Sequence, residues 1–360
     1  MVITGLFIGI VFGFILQRAR FCMTGGFRDI YLTRNNTMLY AFLIAISVQA
    51  VGVYALVQTG HLTPKVGTFS LLGSIGGSLL FGIGIVLAGG CATGTWYRAA
   101  EGLIGSWIAL FFYMIFAAIT KYGALKGVYS EIVSVGVVNN SVAETVGLSQ
   151  GLLIAILVAV TGFFTVKHLR KPKVKIPSLP PKKSGIAHLL FEKRWHPFVA
   201  GAVIGLIALV AWPLSTASGR NGGLGITTPS ANIIRFLVTG DLGVIDWGVF
   251  LVLGIFVGSF IAAKGSREFK WRVPSSEILI SSATGGILMG IGASFAGGCT
   301  IGNGLTNTAI MTWQGWSGLV FTIIGVWIAS YFVYVRPRKK AGSKKGLNKQ
   351  PALNAASVTN

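Results

Sequence analysis

The stretch Ala88-Gly89-Gly90-Cys91-Ala92-Thr93-Gly94 returns later in the chain as Ala296-Gly297-Gly298-Cys299-Thr300-Ile301-Gly302. In each copy an apolar segment runs up to Gly-Gly-Cys, and a short polar stretch with a further glycine follows. This pattern predicts a helix that ends, a bend that glycine permits, and a new helix start. The same shift along the chain also pairs Gly77 with Gly285, Leu80 with Leu288, Gly82 with Gly290 and Gly84 with Gly292. The chain is therefore expected to hold two broken helices at equivalent places in two related halves.

The composition defines the class of protein in which these breaks occur. The chain has 360 residues, of which 53% are hydrophobic and 11% are charged, and its mean hydropathy is +0.73. These values predict an all-α polytopic membrane protein embedded in a lipid bilayer. A net charge of +21 could indicate a nucleic-acid partner, but the basic residues lie in loops between apolar runs and in the tail. We therefore interpret the charge as an orientation signal and expect no nucleic acid.

The apolar runs divide the chain into nine expected spans. Several are shorter than the roughly 20 residues that an untilted helix needs to cross the hydrocarbon, which predicts additional half-embedded helices. The division expected is a first half over 1–149, a connector span with a basic loop over 150–196, a second half over 197–335 and a disordered basic tail over 336–360. The spans fall at 2–16, 38–58, 72–88, 104–120, 150–166, 197–214, 244–263, 277–295 and 314–334.

Positive charge predicts the orientation of the spans. The basic segments are 18–34, 167–194, 264–272 and 336–349, and nine alternating spans place all of them on one side. Because Lys and Arg near span ends remain cytoplasmic, the N-terminus is expected outside and the C-terminus in the cytoplasm. The two halves then cross the membrane in opposite directions, which predicts an inverted-topology repeat.

A helix broken inside a membrane has a chemical consequence. The freed backbone N–H groups must be buried in protein or line a polar cavity. The helix starts near Thr93-Gly94 and near Thr300 to Gly302 would present N–H groups and a positive dipole end, which favour an anion. Thr93, Thr95, Thr300 and Asn303 could add polar donors. Interrupted helices in both halves are also the best sequence indication of a transporter's binding site.

The cysteines are the remaining candidates for chemistry. The chain has three of them and no Cys-x-x-Cys pair, and its four histidines stand in no ligand-like spacing, so no metal or cofactor is expected. A single membrane cysteine is usually a small packing residue, but recurrence of Cys91 and Cys299 at equivalent breaks favours a functional role. Cys22 also follows a span end and precedes Thr24-Gly25-Gly26. Nearby charges, such as Arg28 with Asp29 and Arg98 with Glu101, are interpreted as local ion pairs or interfacial anchors.

These motifs resemble the YeeE/YedE family of sulfur-transport membrane proteins. The resemblance covers residues 1–335 and rests on Arg18-Ala19-Arg20-Phe21-Cys22-Met23 with Gly25-Gly26, and on the two Gly-Gly-Cys stretches. It implies an inner-membrane protein of two inverted halves, through which thiosulfate passes along three cysteines. It also implies a small cytoplasmic sulfurtransferase of the TusA type as a partner, and a link to selenium metabolism in some members. The pathway residues expected on this basis and from the breaks are Cys22, Cys91, Cys299, Gly89, Gly90, Thr93, Gly94, Gly297, Gly298, Thr300, Gly302 and Asn303.

Three hypotheses for the function follow. The leading one is uptake of thiosulfate or a closely related soft sulfur anion, without an enzymatic step. The second is a membrane-embedded sulfurtransferase with a persulfidated cysteine, which would need a thiolate activated by a base or a cation. No histidine accompanies any of the cysteines, which argues against it. The third is a channel for small anions or selenium species in which the cysteines only pack.

Overall fold

The computed structural model describes residues 1–66, 68–170, 185–193 and 195–337, and within these ranges the protein is a bundle of α-helices. Nine helical segments there are long and apolar enough to cross a membrane, which confirms the polytopic all-α fold. The predicted tail lies almost wholly outside the described residues, as does most of the basic connector loop. The helices are α1 (Thr4–Ala19), α2 (Met23–Thr33), α3 (Thr37–Gln58), α4 (Leu71–Leu87), α5 (Ala92–Ala100), α6 (Ile104–Tyr122), α7 (Lys126–Ser134), α8 (Val142–Val146), α9 (Gln150–Leu169), α10 (Gly185–Ala187), α11 (Pro197–Ala217), α12 (Thr227–Thr239), α13 (Trp247–Gly265), α14 (Ser276–Phe295) and α15 (Trp313–Ser330). Short π-helical turns occupy His188–Glu192, Gly302–Asn307 and Tyr331–Val335, and Leu242–Val244 forms a 3₁₀ turn.

Two of the spans are interrupted by non-helical residues. Helices α1 and α2 follow one another within the single apolar segment Thr4–Thr33, and α4 and α5 within Leu71–Ala100. The first break contains Cys22 and the second contains Cys91. A third break follows α14, where the chain reaches the π-helical turn Gly302–Asn307 through Cys299. The short helices α2 and α5 therefore begin directly after Cys22 and Cys91, whereas the π-helical turn begins three residues after Cys299.

Helices α4 and α14 cross each other in opposite directions through glycines. A Cβ on Gly77 would lie 2.7 Å from the carbonyl oxygen of Gly292, and a Cβ on Gly84 would lie 2.9 Å from that of Gly285. Any side chain at these positions would separate the two helices, since small residues are what allow close approach in lipid. The repeat aligns Gly77 with Gly285 and Gly84 with Gly292, so each contact has its counterpart within the same crossing.

Helices α1 and α13 pack side by side and parallel, which defines the two ends of the bundle. At their beginnings Trp247 Nε1 donates to Thr4 Oγ1 at 2.9 Å. Near their C-terminal ends Gln17 Nε2 donates to Glu268 Oε2 at 2.7 Å. We call the end near Glu268 the basic end, because Arg18 and Arg20 lie there, and the end near Trp247 the opposite end. Helix α9, the predicted connector span, lies on the outside of the bundle and buries only Ile154 and Thr161.

One feature of the opposite end does not follow from the apolar pattern. The mildly polar region after α6 contains α7, α8 and a strand, β2 (Val137–Asn139), which pairs antiparallel with β1 (Thr68–Ser70) in the register Phe69 to Val138. Ser70 Oγ accepts from Gly73 N at 3.1 Å and so caps α4. Such short strands carry too little alternation to be distinguished from loop.

Candidate functional site

Cys22 and Cys91 lie together at the starts of two short helices. Cys22 is the N-cap residue of α2, and Cys91 is the N-cap residue of α5. The thiol sulfur of Cys91 accepts from Gly94 N at 3.4 Å. Both side chains are buried, and both thiols lie against the same glycine, Gly94. A Cβ on Gly94 would lie 3.2 Å from Cys22 Sγ and 3.4 Å from Cys91 Sγ. The predicted glycine at this position thus leaves the room in which the two thiols meet.

Cys299 lies nearer the opposite end of the bundle, the end at which α13 begins. Its carbonyl oxygen accepts from Asn303 N at 2.8 Å, at the beginning of the π-helical turn. The residue lines a cavity of about 150 Å³ together with Gly297, Gly298 and Gly302. The far wall of this cavity comes from residues 222–229 and from Arg220, which pairs with Asp246 at 3.6 Å, next to the start of α13. The second Gly-Gly-Cys break is therefore reached from the opposite end.

The first Gly-Gly-Cys break is reached from the basic end. A cavity of about 260 Å³ there is lined by Ala88, Gly89, Arg98 and Arg272, among others. Arg272 N donates to Gly102 O at 2.9 Å in the loop that follows α5. The two breaks thus adjoin cavities at opposite ends of the bundle, with the buried thiols between them.

The glycines of the two breaks differ in backbone conformation and in the space around them. Gly89 and Gly297 adopt φ of +70° and +75°, a backbone conformation that favours glycine. Gly90 and Gly298 do not have a positive φ. A Cβ on Gly298 would lie 2.8 Å from Asn303 Oδ1, whereas one on Gly90 would have ordinary room. Gly302 adjoins open space.

Three threonine hydroxyls near the cysteines are buried without a hydrogen-bond partner in the described part of the chain. They belong to Thr24, Thr93 and Thr300, which stand one or two residues after Cys22, Cys91 and Cys299. A buried hydroxyl without a partner is costly, so each of these groups is suited to receive a ligand. Thr24 was missed as a site residue by the sequence analysis, although the spacing Cys-x-Thr at Cys22 is the same as at Cys91.

Two other expected donors are occupied within the protein. Thr95 Oγ1 donates to Ala92 O at 2.7 Å. Asn303 Nδ2 donates to Ala296 O at 2.7 Å and so holds the second break together. These bonds stabilise the bends. Thr95 Oγ1 and Asn303 Nδ2 therefore donate to backbone carbonyl oxygens of the protein itself.

The charged residues near the breaks pair differently from what their spacing indicates. Arg28 pairs with Asp29 at 3.1 Å as expected, but Arg98 does not pair with Glu101. Glu101 instead binds Arg20 through both carboxylate oxygens at 2.8 Å. Burial raises the pKa of Glu101 above its usual range, against the opposing effect of Arg20. The guanidinium of Arg98 donates to the carbonyl oxygen of Gly89.

A second cation lies near the cavity beside Cys299. Lys121, at the end of α6, donates from Nζ to Thr228 Oγ1 at 2.8 Å, and Thr228 lines that cavity. Lys121 forms no ion pair with a described carboxylate. Within the described ranges no three His, Cys, Asp or Glu side chains come together as metal ligands.

A helical membrane protein with broken helices, whose buried polar centre lies between cavities at opposite ends, has the architecture of a membrane transporter. A profile of the sulphur transport family matches residues 18–328. The chain belongs to this family, the YeeE/YedE family indicated by its cysteine motifs.

Curated relatives support the same class. The chain is 60% identical over 341 residues to the thiosulfate transporter TsuA of Escherichia coli, covering 95% of this chain and 97% of the relative. It is 31% identical over 353 residues to the thiosulfate transporter TsuA of Spirochaeta thermophila, covering 93% and 100%. A 99-residue part is 46% identical to the probable transporter YedE of Escherichia coli, covering 28% of this chain and 24% of that protein. All three are named as transporters, so this chain is a transport protein and not an enzyme.

Proposed function

We propose that the protein takes up thiosulfate across the inner membrane along a pathway lined by Cys22, Cys91 and Cys299. The observation that carries this proposal is the placement of three buried thiols at helix starts, between cavities at opposite ends of the bundle. The relatives that cover nearly the whole chain are named for thiosulfate transport. Thiosulfate suits such a site because it has a polarisable terminal sulfur at one end and oxygens at the other.

In this proposal the thiols act as neutral, weak hydrogen-bond groups. The terminal sulfur of the anion accepts from successive S–H groups, whereas sulfate offers only oxygens. The oxygens are held by the helix-start N–H groups and by the unpartnered hydroxyls of Thr24, Thr93 and Thr300. Each position binds weakly, which permits permeation. The backbone bends at Gly89 and Gly297 keep these donors directed toward the pathway.

The alternative of a sulfurtransferase is weighed on the surroundings of the thiols. A persulfide requires a thiolate nucleophile, usually activated by a neighbouring base. Among the described residues, the hydrogen bond recorded for these thiols comes from the backbone N–H of Gly94 and not from a histidine or a carboxylate. The cation close to them, Arg98, donates to the carbonyl oxygen of Gly89. Weak transfer of an intact anion therefore fits these residues better than covalent capture. The other alternative is a channel in which the cysteines only pack. Such a channel should keep its transport when the cysteines are replaced by serine or alanine, whereas a pathway that uses the thiols should lose it.

The same proposal includes the orientation of the chain and a partner. With the N-terminus outside, the basic end faces the cytoplasm, because positively charged loops remain there. The cavity beside Cys299 then receives the anion, and the cavity beside Gly89 releases it. A small sulfurtransferase of the TusA type is proposed to act at the basic end. The two halves are proposed to be inverted repeats, supported by the reciprocal glycine contacts of α4 and α14.

Uptake of ³⁵S-thiosulfate into vesicles that contain the protein tests this function. Cys22→Ala, Cys91→Ala and Cys299→Ala should each reduce uptake strongly while leaving the amount of folded protein unchanged. Excess unlabelled thiosulfate should compete, and excess sulfate should compete much less. Full uptake by both Cys91→Ala and Cys299→Ala would show that the thiols only pack. A persulfide trapped on any of the three during turnover would favour the sulfurtransferase.

A further inference from the structure

Arg98 is a cation without a carboxylate partner beside the first break. It lies in the last turn of α5, and its guanidinium donates to the carbonyl oxygen of Gly89. The described residues contain every Asp and Glu of the chain, and none of them forms an ion pair with Arg98. Glu101, three residues later, is held by Arg20 instead. The positive charge of Arg98 is thus uncompensated by a direct carboxylate contact.

Arg98 adjoins both the residue before Cys91 and the cavity at the basic end. Its Nη1 would lie 3.5 Å from a Cβ on Gly90, the residue that precedes Cys91. On the other side, Arg98 and Gly89 both line the cavity of about 260 Å³. An anion that moves from the thiols to this cavity therefore comes close to the guanidinium.

The second break has no such cation at the matching position. The repeat aligns Arg98 with Thr306, whose hydroxyl donates to Leu224 O at 2.8 Å. The carbonyl oxygen of Ala296 is bound there by the neutral amides of Asn303 and Gln314, at 2.7 and 3.0 Å. The backbone motif is thus repeated, but a cation holds the bend only at the break that adjoins the basic end.

We propose that Arg98 is the exit residue of the pathway: its guanidinium exchanges the Gly89 carbonyl for the anion's oxygens as the anion leaves Cys22 and Cys91. This inference rests on the proposed transport of thiosulfate. A guanidinium has five N–H donors in a planar fork that matches an oxyanion. Competition from the Gly89 carbonyl keeps the anion from being trapped, and weak binding is what release requires. No bond is formed or broken in this step.

The test compares Arg98→Gln and Arg98→Lys with the wild-type chain in ³⁵S-thiosulfate uptake. Arg98→Gln keeps an amide donor but loses the charge, so its maximal uptake should fall about tenfold or more, as expected for a lost charged hydrogen bond. Arg98→Lys keeps the charge but loses the planar fork, so its uptake should lie between that of the wild type and that of Arg98→Gln. The half-saturating thiosulfate concentration should change little, because the anion enters at the cavity beside Cys299. Arg28→Gln is the matched control, since it removes a guanidinium at the basic end that is paired with Asp29.

Two results would overturn the inference. One is normal uptake by Arg98→Gln, and the other is an Arg98→Lys chain that is folded and as inactive as Arg98→Gln. A labelling measurement on the wild-type chain covers the case in which the variants do not fold. Saturating thiosulfate should slow modification of Arg98 by phenylglyoxal, followed by peptide mass spectrometry, and unchanged labelling would also overturn it. Failure of the proposed function is distinct, because it appears as absence of thiosulfate uptake by the wild type itself.

Discussion

The thiols of Cys22 and Cys91 both lie against Gly94, although the two cysteines belong to different interrupted spans. Gly94 makes this possible, because it has no side chain where both sulfurs lie. Cys299 takes no part in this contact and lines a cavity instead. The three cysteines therefore have different surroundings: Cys22 and Cys91 lie together, and Cys299 lies apart from them beside a cavity.

The thiol pair predicts selective disulfide formation. Mild oxidation of the purified protein should join Cys22 to Cys91, because both sulfurs border the same space at Gly94 and disulfides require close approach of the two Cβ atoms. Peptide mapping by mass spectrometry with and without reductant measures the product. Cys22→Ala is the control and should leave Cys91 reduced. A disulfide that includes Cys299 would contradict the arrangement.

Gly94→Ala should impair uptake without unfolding the protein. The added methyl would lie 3.2 and 3.4 Å from the two sulfurs, so the thiols must shift where the anion passes. Alanine is otherwise favoured over glycine in a helix by about 1 kcal/mol, so thermal stability should change little. Gly76→Ala in α4 is the matched control, because a Cβ there meets nothing within 4 Å. Equal uptake by the two variants would show that the space at Gly94 is not used.

The sequence predicted much of this arrangement because its main features are local. Apolar runs indicate the spans, and the glycines before Cys91 and Cys299 indicate the bends, where Gly89 and Gly297 have positive φ. Contacts between distant segments are not local, so the meeting of Cys22 with Cys91 was not predicted. For the same reason the spacing of Arg98 and Glu101 indicated an ion pair between them. Because α1 packs against α5, Glu101 forms its ion pair with Arg20 instead.

Glu268 should make the stability of the basic end depend on pH. Its burial raises the pKa, but Arg20, Gln17 and Arg18 together outweigh that effect and hold the pKa below its usual range. A depressed pKa stabilises the folded state above the unfolded value of about 4.3, and this contribution is lost as the pH falls further. Wild type should therefore melt above Glu268→Gln at neutral pH, by a modest amount because Glu268 is partly exposed. The gap should close in acid, and a gap that widens in acid would contradict this assignment.

Orientation can be tested at the connector loop, around Lys182, which lies outside the described residues. The basic segments predict that this loop is cytoplasmic. A reporter enzyme that is active only outside the cytoplasm should be inactive when fused there. The same reporter fused ahead of α1 should be active and serves as the control. Activity at Lys182 would reverse the proposed direction of uptake, so that the cavity beside Gly89 receives the anion.

The hydroxyl of Thr24 offers a test in which stability and transport respond differently. It is buried and has no described hydrogen-bond partner, and such a group costs about 1–3 kcal/mol. Thr24→Val keeps the shape and removes that hydroxyl, so the melting temperature should stay the same or rise. Uptake of thiosulfate should nevertheless fall several-fold, because the anion loses an oxygen-binding donor next to Cys22, at a net value of about 1 kcal/mol. Thr95→Val is the matched control: its hydroxyl donates to Ala92 O, so this change should lower stability. Normal uptake by Thr24→Val together with a raised melting temperature would mean that the hydroxyl has no part in anion binding, and a lowered melting temperature would mean that it has a structural partner.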